Sequence, residues 1–252
     1  MRVIGVYNIK GGVGKTSTAV NLAHLAAESG LRVLIWDLDP QAATTYYFRV
    51  QAKVRGGSKK MVRGKSELGD LIKGSDYPNL DLLPADFSYR KLDLLLDDSK
   101  HPTSQLSRLL DPLGCEFDLV ILDSPPSISL LSENIFHVAE ALLIPTIPTT
   151  LSLRTLEQLY DFLHKQQLQS LQRLPFFSMA DRRKTMHQEM MQQLPRKYPE
   201  FLTSWIPYAS DIERMGIHRE PVTAFGRNTL AGRAYQRLWE EVIGRLRLRV
   251  KG

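Results

Sequence analysis

A single cysteine, Cys115, is the only thiol in 252 residues. One thiol excludes internal disulfides and any cluster held by protein thiolates alone. No apolar run approaches the ~20 residues that a membrane-spanning helix needs. The N-terminus, Met1-Arg2, leads into an apolar segment that runs on to a glycine-rich turn, so no signal peptide is expected. His24, His101, His137, His164, His187 and His218 show no ligand spacing, so no histidine metal site is expected. Internal repeats and linker-like stretches are also missing, and one domain over residues 1–252 is expected in the cytoplasm. Apolar residues at 43% and charged residues at 24% are ordinary for a globular protein and exclude disorder and coiled coil.

Charge is unevenly spread. Residues 173–252 hold 15 Lys+Arg against 8 Asp+Glu, a balance of +7, whereas residues 1–172 stand at −1. The C-terminal third thus carries the whole positive excess, which suits an acidic partner such as nucleic acid or anionic lipid, or simply a solvated surface. A second basic stretch, residues 49–65, carries Arg49, Lys53, Arg55, Lys59, Lys60, Arg63 and Lys65 around Gly56-Gly57 with no acidic residue. Such like charge beside paired glycines predicts an exposed, mobile loop.

The most informative run is Lys10-Gly11-Gly12-Val13-Gly14-Lys15-Thr16-Ser17. It follows an apolar run and opens a helical pattern. A glycine-rich turn between a buried strand and a helix N-terminus points backbone N–H groups at an anion, and the helix dipole favours the same charge. Lys15 would reach the β- and γ-phosphates of a nucleotide, and the Thr16 hydroxyl would ligate magnesium. Ile9 stands where the usual phosphate loop begins with glycine, and an additional lysine, Lys10, stands at its mouth.

Short apolar runs alternate with helical patterns, the signature of an α/β, doubly wound, mostly parallel sheet with helices on both faces. Strands are predicted at 3–7, 33–36, 80–83, 119–122, 142–144, 175–178 and 203–206. They are apolar nearly throughout, as expected when both faces are covered. Helices are predicted at 16–29, 66–72, 89–96, 104–113, 131–139, 153–168, 186–193 and 230–246.

Two acidic motifs sit at strand ends, where an open α/β sheet binds its ligands. They are Asp37-Leu38-Asp39-Pro40-Gln41 and Asp123-Ser124-Pro125-Pro126. An aspartate there can hold a magnesium-bound water while Thr16 ligates the metal directly. Asp123 is assigned that role, with Asp37 one layer behind it. Asp39 would orient the attacking water, and the paired prolines would stiffen the loop beside the γ-phosphate.

This set resembles the ParA/Soj partition proteins, P-loop ATPases with a deviant Walker A loop. Lys10–Ser17 matches their Lys-Gly-Gly-x-Gly-Lys-Thr-Ser/Thr loop, with Lys10 in the place of the signature lysine. Asp37-x-Asp39-Pro40-Gln41 and Asp123-x-Pro125-Pro126 match their two acidic motifs. Asn79-Leu80-Asp81-Leu82-Leu83-Pro84-Ala85, Ile206-Pro207, Glu220-Pro221-Val222 and Ala234-Tyr235 fall at further family landmarks. The resemblance implies an ATP- and Mg2+-dependent homodimer in which Lys10 of each subunit reaches the other's phosphates. It implies slow basal hydrolysis through Lys10, Lys15 and Asp39, with Pro207 beside the nucleotide. It implies non-specific DNA binding on the nucleoid and stimulation by a ParB-like protein or cargo adaptor. The DNA candidates, drawn from the basic C-terminal third, are Arg182, Arg183, Lys184, Arg214, Arg219, Arg227 and Arg233. Two departures stand out. The basic stretch 53–65 is longer than the family's segment. Thr229-Leu230-Ala231-Gly232 replaces the family's Ser-Arg-Gly-Ala, leaving Arg227 or Arg233 to substitute for its arginine.

Three other readings share the loop. A nitrogenase-reductase-like iron protein needs two cysteines per subunit and is excluded by Cys115 standing alone. An amidoligase needs a further substrate motif, and none is present. A MinD-like membrane-cycling ATPase needs an amphipathic C-terminal helix, which Leu238, Trp239, Val242, Ile243 and Leu246 with Arg237, Arg245, Arg247 and Arg249 could form. The competing reading makes Tyr235, Leu238, Val242 and Leu246 the core-facing stripe of a packed helix, and membrane binding is not expected.

Overall fold

A computed structural model describes residues 1–54, 56–64 and 67–250. Arg55, Lys65, Ser66, Lys251 and Gly252, which fall in the predicted basic loop, the predicted 66–72 helix and the C-terminal tail, lie outside the described residues. Seven strands form one sheet: β1 (Arg2–Val6), β2 (Val33–Asp37), β3 (Lys73–Gly74), β4 (Leu80–Leu83), β5 (Leu119–Asp123), β6 (Ala141–Thr146) and β7 (Gln172–Phe177). Their order is β3-β4-β2-β5-β1-β6-β7. All pairings are parallel except the edge pair β3–β4. β2 and β5 are buried at every position, which is why they read as unbroken apolar runs rather than alternating ones.

The helices are α1 (Lys15–Glu28), α2 (Ala43–Tyr47), α3 (Gly57–Val62), α4 (Leu92–Asp97), α5 (Gln105–Leu110), α6 (Leu130–Val138), α7 (Thr150–Lys165), α8 (Thr185–Lys197), α9 (Ser210–His218), α10 (Val222–Phe225) and α11 (Leu230–Leu246). Residues of α3 to α8 pack on one face of the sheet, in a core holding Met61, Leu92, Leu106, Phe136, Leu159 and Met190. α1, α9, α10 and α11 close the other, around Leu22, Met215, Val222 and Leu238. Among the described residues no helix is long and apolar enough to cross a membrane. α11 buries Tyr235, Leu238, Trp239, Val242 and Leu246, so its apolar stripe faces protein.

Several expectations are corrected. The basic stretch is not a mobile loop throughout. Gly57–Val62 is helical, with Ser58, Met61 and Val62 buried. Ser58 N donates to Ser88 Oγ at 2.8 Å, Val54 N to Asp86 Oδ2 at 2.9 Å, and Gln105 Nε2 to the Val62 carbonyl at 2.8 Å. Arg49 is ion-paired with Asp76 and Glu220. The 203–206 strand does not form, although its segment runs beside β7: Thr203 and Ser204 donate their N–H groups to the Glu241 carboxylate instead of a ladder. Leu202 N and Ile206 N still donate to the Pro175 and Phe177 carbonyls of β7, each at 2.8 Å, and an isolated bridge joins Ala180 to Pro207. Of the 66–72 helix the described part holds one 3-10 turn, Gly69–Leu71, because Ile72 is already extended toward β3. A 3-10 turn, Phe87–Lys91, likewise replaces the first part of the 89–96 helix.

Candidate active site

The sheet order brings the three motifs together. β5 lies between β1 and β2, and in register Asp123 faces Val6 on one side and Asp37 on the other. The glycine-rich loop leaves β1 at this same end. Asn8 fastens its start, donating from Nδ2 to the Pro145 carbonyl at 2.8 Å and accepting from Lys10 N at 2.9 Å. Gly14 sits at φ +91°, where an L side chain is strained, and a Cβ there would lie 2.8 Å from Ser178 Oγ. Gly14 begins α1 without a side-chain cap, so the first-turn N–H groups are directed to the loop as an anion cradle. The Gly14 carbonyl meanwhile accepts from the Thr18 and Ser17 hydroxyls at 2.7 and 3.1 Å.

Lys15 is only 6% exposed, and its Nζ donates to the Lys10 carbonyl at 3.1 Å. Burial lowers its pKa, against the pull of Asp123 and Asp39. Val13 is buried, Thr16 and Ser17 are half-buried, and Lys10, Gly11 and Gly12 are exposed at the mouth.

Asp37 and Asp123 are buried. Asp37 Oδ2 accepts from Thr45 N and Oγ1 at 2.8 and 2.7 Å, while Oδ1 accepts from Asp39 N at 3.2 Å. Asp123 Oδ2 accepts from Thr44 Oγ1 at 2.8 Å, and Oδ1 has no partner among the described residues. Burial, with the charge of Asp37, pushes Asp123 up to about 7, and burial, with the charge of Asp39, pushes Asp37 up to about 6. The Thr44 and Thr16 hydroxyls and the Lys15 ammonium work against the rise at Asp123. A buried carboxylate oxygen left unmatched costs free energy that a cation or its bound water would offset. The donor set, a hydroxyl and a carboxylate oxygen, suits magnesium. Asp39 is half-buried on the same side, its Oδ1 accepting from Gln41 N at 2.9 Å.

The loop after β5 is stapled to β1. Ser124 Oγ donates to the Val6 carbonyl, and Tyr7 Oη to the Ser127 carbonyl, each at 2.7 Å. Pro126 lies 3.8 Å from where a Gly11 Cβ would stand. Thr44, Thr45, Asn8, Tyr7 and Ser124 escaped sequence reasoning. Only Thr44-Thr45, directly behind the Asp-x-Asp-Pro-Gln motif, offered a signal.

Pro207 is buried beside Ala180, past the end of β7. The basic candidates scatter. Arg182 lies over Trp205 at 6.0 Å, Arg183 grips Asp181 through Nε and Nη2, and Lys184 precedes α8. Arg214 is exposed on α9, and Arg219 stacks on Tyr46 at 4.5 Å. Arg227 is ion-paired with Glu28, and Arg233 is exposed on the first turn of α11.

A parallel sheet with a glycine-rich loop leading into α1, and acidic residues on adjacent strand ends, defines a P-loop nucleotide-binding fold. A family model described as an AAA domain matches residues 1–176. Chromosome partitioning protein ParA of Caulobacter vibrioides is 26% identical over 255 residues, spanning 98% of this chain and 96% of that protein. Sporulation initiation inhibitor protein Soj of Bacillus subtilis is 33% identical over 159 residues, 63% of each chain. Among solved structures, cobyrinic acid a,c-diamide synthase from Mycobacterium smegmatis, with an ATP analogue and magnesium, superposes with a TM-score of 0.84 at 26% identity, covering 98% of this chain and 95% of that one. The chain belongs to this AAA-domain family and, within it, to the ParA/Soj-type partition ATPases.

Proposed function

We propose that the protein is an ATP-dependent partition ATPase that cycles between a monomer and an ATP-bound dimer on DNA. The observation that supports it most is the meeting of Lys15, Thr16, Asp39 and Asp123 at the ends of three adjacent strands. The loop N–H groups and Lys15 hold the β- and γ-phosphates. Thr16 and Asp123 would hold Mg2+, the latter through water, with Asp37 behind. Bound Mg2+ neutralises phosphate charge. Asp39 orients the attacking water, a positioning role that gives slow turnover. Lys10, exposed at the mouth, is free to reach across to a second subunit and act as a lysine counterpart of an arginine finger. The dimer binds DNA without sequence preference, and a ParB-like protein or cargo adaptor stimulates hydrolysis.

Light scattering with ATP tests the cycle. Asp39→Ala keeps ATP binding and accumulates as a dimer, whereas Lys10→Ala binds ATP and stays monomeric. A monomeric Asp39→Ala, or a dimeric Lys10→Ala, contradicts the cross-subunit arrangement.

A further inference from the structure

α2 directly follows the turn that carries Asp39, and two successive threonines fasten it to the acidic strand ends. Thr44 is fully buried, and its one hydroxyl proton goes to Asp123 Oδ2. That bond fixes the rotation of the carboxylate and leaves Oδ1 as its only unmatched oxygen. Thr45 binds Asp37 through both N and Oγ1, and its Oγ1 also accepts from Ala85 N at 2.9 Å, beyond the end of β4. The turn before α2 is closed by Ala42 N donating to the Asp39 carbonyl at 2.9 Å. The span from Asp37 to α2 is therefore fastened by these two carboxylates, through Asp39 N, Thr44 and Thr45.

We infer that Thr44 is a positioning residue for the divalent cation: it holds Asp123 with Oδ1 turned to the metal's water. It also ties the turn bearing Asp39 to that carboxylate. The inference rests on the magnesium reading of this site. A group that orients a metal-side carboxylate from behind is worth about 10- to 100-fold in metal affinity.

The test titrates Mg2+ into the full chain with a fluorescent ATP analogue, following nucleotide affinity rather than turnover. Thr44→Val is expected to raise the Mg2+ midpoint about 10-fold or more while leaving nucleotide affinity in EDTA unchanged. Thr44→Ser, which keeps the hydroxyl, is expected to restore the midpoint. An unchanged midpoint in Thr44→Val overturns the inference. So does an equal loss of affinity with and without Mg2+, which marks Thr44 as a packing residue only. Should Thr44→Val not fold, Thr44→Ala carries the same comparison. A wild type whose affinity ignores Mg2+ removes the magnesium reading and this inference with it, whereas a responsive wild type beside an unaltered Thr44→Val removes Thr44's role alone.

Discussion

Lys15 must stay cationic while nearly buried, and its neighbours show how. Desolvation lowers its pKa, but Asp123 and Asp39 pull the other way. Removing a buried ammonium from a phosphate contact costs about 3 kcal/mol or more, on the order of a hundredfold in affinity. Lys15→Ala is therefore expected to lose measurable nucleotide binding by titration calorimetry, and an unchanged affinity would sink the phosphate-loop assignment. The two buried carboxylates make a separate prediction. Their folded pKa values, about 7 for Asp123 and about 6 for Asp37, stand above the ~4 of an unfolded aspartate. A group shifted upward contributes stability that is full below its unfolded value and is lost as pH rises through the folded one. Nucleotide- and metal-free protein should accordingly lose melting temperature as pH rises from about 4 to about 7, and Asp123→Asn should flatten that slope. Parallel melting curves for the two proteins would show that this carboxylate is not the source. The phosphate-loop residues were legible because the chemistry needs them consecutive. Thr44 was not, because its partner Asp123 lies on a different strand and only folding brings the two together.

At the scale of elements, legibility followed how local the cause of each element is. β1, β2, β4 and β5 were readable because burial on both faces makes them apolar nearly throughout, and α11 because a single stripe repeats over its whole length. α2 was missed because Thr44-Thr45-Tyr46-Tyr47 has poor helix propensity, and side-chain bonds to Asp37 and Asp123 hold it. α3 was missed because Lys59 and Lys60 mask its few apolar residues, whose partners Tyr89 and Leu92 arrive from beyond β4. α9 buries only Met215 within its span, too little for a periodic signal. The stripe on α11 decides between a packed helix and a membrane helix. Leu238 is fully buried, and Trp239 Nε1 donates to Ser29 Oγ at 3.0 Å, joining α11 to the end of α1. Leu238→Ala should destabilise the fold by about 2–5 kcal/mol, read in urea denaturation, and wild type with ATP should not sediment with anionic vesicles. Vesicle binding that Leu238→Ala weakens without loss of stability would favour the membrane-cycling reading.

For the whole molecule, the +7 balance of residues 173–252 has meaning only if enough of those cations are free to meet phosphate. Two of the seven candidates are engaged: Arg183 with Asp181 and Arg227 with Glu28. Arg182, Lys184, Arg214 and Arg233 carry no ion pair among the described residues, and Arg219 is stacked on Tyr46. One subunit thus offers few contacts; the proposed ATP-bound dimer would double them, and DNA affinity would then depend on ATP. Binding through phosphates should be independent of sequence and fall steeply with salt, as condensed counterions are released. Each contact removed, as in Arg214→Ala or Arg233→Ala, should lower the log–log salt slope by roughly one unit per subunit. Arg183→Ala should change it less, because recruiting that arginine means breaking its hold on Asp181. Filter binding on random duplex across a salt series, with and without ATP, gives the slopes directly. Absence of binding at low salt, or equal binding without ATP, would contradict a DNA-borne partition cycle even if nucleotide binding and dimerisation hold.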